Sequence, residues 1–171
     1  AVHPYPQISA GPEIFALDDA DTKINATATG KLLRYHWTPV MYLSAADSLQ
    51  PYIKSPQTDI LYQLSVTGSG NCTSTDQVKM HVLRKPIIPN TFTPNGDGIN
   101  ETWKITNLEV YPDCMIEVYS SSGKLVYKSE GYKHEWDGKK DGNALPTGTY
   151  YYVVYPKSGR KQIAGYVTLI R

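Results

Sequence analysis

A chain of 171 residues with 17 Lys and Arg against 16 Asp and Glu carries a formal net charge of +1. That balance excludes the basic footprint of a nucleic-acid binder, and the length suits one large or two small domains. Fourteen Tyr against two Phe, with 12 Pro and 13 Gly, is a composition for many short strands and few helices.

The chain opens on Ala1-Val2-His3-Pro4, shows no leader pattern, and reads as an excerpt of a longer protein. Residues 1–85 read as one β-domain. Ile24, Ala26 and Ala28 share one side of an alternating run. Leu33, Tyr35 and Trp37 do the same, as do Tyr62, Leu64 and Val66, and then Val78, Met80 and Val82. Period-two runs between turn residues predict an antiparallel sandwich, with Trp37 as a structural core plug. Thr38 to Pro56 reads as a long connection with a short strand near Tyr52 and one helical turn at Ala45–Leu49. Two prolines in Lys85–Pro89 predict a short, semi-rigid linker holding two modules at a fixed angle.

Residues 86–171 read as a second sandwich, so the predicted class is all-β, two tandem antiparallel Ig-like domains. It opens on Phe92-Thr93-Pro94-Asn95-Gly96-Asp97-Gly98-Ile99-Asn100-Glu101. Two readings of this stretch stay open. Asn-Gly and Asp-Gly favour a tight turn, with Gly96 and Gly98 supplying positive φ. Asn95, Asp97, Asn100 and Glu101 are also candidate calcium ligands in a Thr-x-Asn-x-Asp-Gly frame, the one cofactor the sequence suggests. The frame begins with Thr and lacks a Glu twelve positions along, so the turn is preferred.

Trp103 and Ile105 alternate next. Met115–Tyr119, Ser121-Ser122-Gly123 and Lys124–Tyr127 predict a hairpin. Trp136 precedes an Asp137-Gly138 turn, and Asp141-Gly142 marks another. Trp103 and Trp136 are read as structural core residues. In Tyr150–Tyr155 both faces are apolar, which predicts a central strand covered on both sides. Ser158-Gly159-Arg160-Lys161 reads as a solvated hairpin tip, and Ile163–Ile170 as the last strand. No run approaches 18 apolar residues, so no membrane-spanning helix is predicted.

Little here suggests catalysis. There is no Gly-x-Ser-x-Gly elbow and no His-Glu-x-x-His, and His3, His36, His81 and His134 are isolated. Glu135 and Asp137 flank Trp136, but turn chemistry accounts for them. Catalytic residues are therefore none. Cys72 and Cys114 fall in different predicted domains, so a staple within either is excluded. Asp47-Ser48-Leu49 fits a short O-glycosylation pattern, and Asn25, Asn71 and Asn100 head N-linked sequons.

Ile88 to Glu101 resembles the opening motif of the gliding-motility-associated C-terminal domain. Val118 to Tyr127, Trp136-Asp137-Gly138, Leu145 to Tyr152 and Gly165-Tyr166-Val167-Thr168-Leu169-Ile170-Arg171 continue that family's pattern in order. Cys114-Met115 stands where the family is polar or basic. Such domains resemble type B signals of the type IX secretion system in Bacteroidota, at the end of large surface proteins. The first half is similar to the Ig-like or PKD-like repeats that precede them, through Tyr35–Pro39 and Tyr62–Thr67. Many such repeats pair a cysteine like Cys72 with one near the second strand. Phe15-Ala16-Leu17 has none, so Cys72 is expected as an unbridged thiol.

The resemblance implies a non-catalytic tail of an exported surface protein, such as a gliding adhesin, working as a monomer. Residues 86–171 would be read by the outer-membrane translocon and its accessory outer-membrane proteins, with residues 1–85 as a spacer. The candidate recognition segment is Gly165–Arg171, as an edge strand open to a partner. Loops Asn95–Asn100 and Asp137–Asp141 are the other candidates. The competing reading is a carbohydrate- or surface-binding module using Trp37, Tyr42 and Tyr52.

Overall fold

Alternating apolar and polar side chains build strands along the whole chain. The computed structural model describes residues 4–171 and divides into two units, one ending at Arg84 and one spanning Lys85–Arg171. His3 lies outside the described residues.

The first unit contains β1 (Gln7–Ser9), β2 (Ile14–Leu17), β3 (Thr22–Lys23), β4 (Thr27–Thr29), β5 (Arg34–Thr38), β6 (Tyr52–Ile53), β7 (Ile60–Thr67) and β8 (Thr73–Leu83). One layer is a four-stranded sheet in the order β2-β8-β7-β5, and the pairs β1-β4 and β3-β6 form separate two-stranded sheets. Trp37, Tyr62, Leu64, Val66 and Met80 are fully buried between them. The Trp37 and Tyr62 rings meet edge to face at 6.4 Å.

Two expectations about this unit need correction. The run from Lys23 to Ala28 is not one strand. Ile24 and Ala26 are buried as predicted, but Thr22–Lys23 pairs with β6 and Thr27–Thr29 with β1. Between them the backbone is held by Ile24 N donating to Pro51 O at 2.9 Å and by Gln50 Nε2 donating to Ala26 O at 2.9 Å. Nor do residues 45–49 form a helical turn. Trp37 N donates to Ala46 O at 2.8 Å and Trp37 Nε1 to Ser48 O at 3.0 Å. A buried indole requires an acceptor, and this segment supplies it.

The second unit contains β9 (Thr91–Phe92), β10 (Met115–Tyr119), β11 (Leu125–Glu130), β12 (Lys139–Lys140), β13 (Asn143–Ala144), β14 (Gly148–Tyr155) and β15 (Ile163–Leu169). Five strands form a sheet in the order β11-β10-β14-β15-β9. The Ile87–Thr106 and Trp103–Trp136 bridges lie outside the named strands. Phe92, Trp103, Ile105, Ile116, Val118, Trp136, Tyr150, Val154, Val167 and Leu169 form the core. β12 and β13 join through Asp141 (φ 51) and Gly142 (φ 79), both positive, as a two-residue hairpin turn prefers.

β14 is central, as its apolar run predicts, but it is not covered on both sides. Tyr150 and Val154 are buried while Tyr151 is 51% exposed. A sandwich sheet has one buried face, and Tyr tolerates the other because it ends in a hydroxyl. The sheets are also not purely antiparallel. In each unit the first strand of the main sheet runs parallel to the last: β2 to β8, and β9 to β15. Arg160 departs from the solvated tip expected of it, since its Nε donates to the hydroxyl of buried Tyr111 at 2.7 Å.

Candidate functional site

The motif loops of the second unit converge at one end of its sheet. Phe92 leads from β9 into the opening loop, where Thr93 N donates to Asn100 O at 2.8 Å and closes it. Gly96 (φ 85), Gly98 (φ 83) and Asn100 (φ 52) sit in the left-handed region, which Gly adopts without strain and Asn tolerates. Inside the loop each acidic side chain caps a backbone amide. Asp97 N donates to Asn95 Oδ1 at 3.0 Å, Ile99 N to Asp97 Oδ1 at 2.7 Å, and Gly98 N to Glu101 Oε1 at 3.0 Å. Asn95 Nδ2 donates to Asp97 Oδ2 at 3.0 Å.

Asn95, Asp97 and Glu101 are thus brought together, but their oxygens are turned onto amide donors. For Asn100 the contact shown is through its carbonyl, not its side chain. A calcium ion would have to take oxygens away from those donors to reach six ligands. Among the described residues, no three His, Cys, Asp or Glu side chains gather into a set that could hold a metal.

Two further loops meet the opening loop. Trp136 carries the Asp137-Gly138 turn, where Lys139 N donates to Asp137 Oδ1 at 3.0 Å. Leu145 N donates to Gly138 O at 3.0 Å, joining that turn to the Leu145-Pro146-Thr147 segment. Tyr150 donates to Pro146 O at 2.8 Å, and Tyr127 to His134 O at 2.7 Å. Burial pushes both phenols above their ordinary range, so they remain donors at neutral pH.

Arg171 ties these loops together. Its Nε donates to Leu145 O at 3.1 Å, its Nη1 to Pro94 O at 3.1 Å and its Nη2 to Gly138 O at 3.0 Å. Its backbone N donates to Thr147 Oγ1 at 3.2 Å. The planar guanidinium fork can serve three acceptors at once. Sequence reasoning placed Arg171 in a recognition strand and missed this role, because carbonyl acceptors carry no residue-specific signal. The order of the motifs was the one available hint.

The rest of the recognition segment divides. Gly165, Tyr166 and Val167 pair with β14 on one side. Thr168 and Leu169 are paired on both sides, by β14 and by β9, and Ile170 N donates to Phe92 O at 3.2 Å. At Gly165 an added Cβ would lie 2.5 Å from the Tyr152 hydroxyl, so a larger residue there would displace that ring. Both cysteines are thiols rather than half-cystines, with Cys114 fully buried.

In the first unit, Trp37 is fully buried and Tyr42 packs against the core, which leaves Tyr52 exposed. These three do not make an aromatic surface. His81 Nδ1 lies 3.0 Å from Asp59 Oδ2, and Phe15 stacks on the His81 ring. Asp59 is held below the ordinary carboxylate range by the Val82 amide and by His81.

Two tandem all-β units with Ig-like topology are a non-catalytic kind of architecture. Residues 86–169 match the family model CHU_C, described as a type IX secretion signal domain, and the second unit belongs to that family. Such a domain marks a protein exported by the type IX secretion system across the outer membrane, to the cell surface or beyond. No curated protein sequence matches the chain. Among solved structures, an I-band fragment of titin matches with TM-score 0.56 at 7% identity, covering 99% of this chain and 66% of that one. Sidekick-1 immunoglobulin domains 1–4 match with TM-score 0.50 at 12% identity, covering 96% and 48%. At those identities the likeness shows the Ig fold alone. PorZ, a surface component of the type IX secretion system of Porphyromonas gingivalis, is similar at 20% identity with TM-score 0.40, over 64% of this chain and 15% of that one.

Proposed function

We propose that the second unit is the export signal of a cell-surface protein of a gliding or adhesive kind, and that the first unit is its last spacer repeat. The observation that carries this reading is the family match over residues 86–169, which coincides with the unit Lys85–Arg171. A unit with its own core can be appended to unrelated cargo and still present the same surface. The spacer reading of the first unit rests on its buried aromatics, since Trp37 lies in the core and offers nothing to a sugar or a surface.

The test fuses residues 86–171 to a secreted reporter in a bacterium with a working type IX system and in a strain lacking the translocon. The reporter is expected outside the first and inside the second. Retention in both strains would overturn the reading.

A further inference from the structure

We propose that Arg171 is a positioning residue for export: it fixes three loop segments in one arrangement, and that loop end, rather than an open strand edge, is the surface the translocon machinery reads. The inference rests on the export reading above. It begins from how the guanidinium is used. Three N–H groups go to three backbone carbonyls: Pro94 of the opening loop, and Gly138 and Leu145, which lie just before and just after the β12–β13 hairpin and are themselves joined by Leu145 N donating to Gly138 O. Pro94 lies 77 positions from Arg171, and Leu145 lies 26. No acidic side chain takes part in these bonds, so the contact is set by the shape of the fork rather than by charge pairing.

A second observation points the same way. Gly138 has φ 72, and a Cβ there would lie 2.5 Å from Leu169 Cδ1, 3.3 Å from Arg171 Nη2 and 3.3 Å from Phe92 Cζ. The Trp136-Asp137-Gly138 turn is therefore built to let Arg171 and the end of β15 come close. Glycines elsewhere at this end are different. Gly96, Gly98 and Gly142 have nothing within 4 Å of an added Cβ, and Ile99 is 65% exposed. The core does not need these loop tips, yet the base of the opening loop and the Gly138 turn are both tied to Arg171. By contrast, Thr168 and Leu169 of the recognition strand already have strands on both sides, so the open edge of that segment is confined to Gly165–Val167 and stops short of the motif loops.

The experiment compares Arg171→Ala, Arg171→Lys and Val154→Ala in the reporter fusion and in the purified 171-residue chain. Val154 is fully buried on β14 at the end away from Gly148, the partner of Leu169. In the purified chain, Arg171→Ala is expected to speed hydrogen exchange together at Thr93, Lys139 and Leu145, whose amides close the three loop segments. Exchange in β10 and in the middle of β14 should stay unchanged. Exchange unchanged at those three amides would overturn the positioning role, whatever export does. In the fusion, Arg171→Ala and Arg171→Lys are expected to lose export, the lysine because it keeps charge without the fork. Val154→Ala is expected to be less stable than either and still exported. Export of both Arg171 variants at the unaltered level, or loss of export that merely follows melting temperature across the three, would overturn the recognition role. If the unaltered fusion stays in the cell, the export reading and the recognition role fall together, while the exchange measurement still decides whether Arg171 positions the loops.

Discussion

Trp103 N donates to Trp136 O at 2.8 Å, and the two indoles meet edge to face with centroids 6.3 Å apart. Trp136 also contacts the rings of Phe92, Tyr127 and Tyr150. One residue of the Trp-Asp-Gly motif thus anchors both the core and the loop that follows it. Trp103 Nε1 donates to Pro89 O at 2.7 Å and Trp136 Nε1 to Lys139 O at 3.1 Å, so neither indole is buried unsatisfied.

Replacing Trp136 with Ala removes a nearly fully buried indole and its four ring contacts. Truncations of this kind cost about 3–5 kcal/mol. Urea unfolding of residues 86–171 should show that loss as a lower midpoint with an unchanged slope.

Gly138→Ala and Gly96→Ala separate two costs. Both sites have positive φ, but Gly96 is surrounded by open space and Gly138 is not. Gly96→Ala should cost about 1–2 kcal/mol from backbone strain alone. Gly138→Ala should cost clearly more in the same thermal melt, because Leu169 must also move.

Alkaline titration should reveal Tyr62. Its hydroxyl donates to Met41 O at 2.7 Å, and burial, aided by Tyr42, pushes its pKa up to about 12. The raised value means the folded chain holds this proton after the unfolded chain has lost it. The contribution is therefore complete below about pH 10 and falls away as pH rises to about 12, by roughly 3 kcal/mol. Tyr62→Phe should flatten that part of the stability curve against pH.

Cys114 is fully buried, and burial raises its thiol above the ordinary range. Thiolate is the reactive form. A thiol reagent at pH 8 should label Cys114 only after unfolding in denaturant. Rapid labelling in the native state would contradict the burial.

Calcium and a chelator should leave the melting temperature of residues 86–171 unchanged, because the Asp97 and Glu101 oxygens already accept backbone amides. A higher melting temperature with calcium would mean that the loop rearranges around the ion.

Much of the fold could be read along the chain, for a local reason. Side chains two apart share a face of a strand, so Tyr62, Leu64 and Val66 announced a buried face and are fully buried. Asp141-Gly142 announced its turn through φ preference alone. Where this reasoning failed, a partner distant in the chain had decided. The alternation of Ile24 and Ala26 was visible, but the exchange of pairing partners between β3 and β4 was not. Arg160 looked like a turn charge until Tyr111, 49 positions away, received its hydrogen bond.

The same division runs through the candidate site. The sequence by itself determined the Gly-rich turn, the Trp-Asp-Gly turn, the strand that ends in Arg171 and their order. Only the tertiary structure decided that the arginine joins them. Every residue presents a carbonyl, so the three that receive its guanidinium are selected by the route of the backbone and not by the identity of Pro94, Gly138 or Leu145.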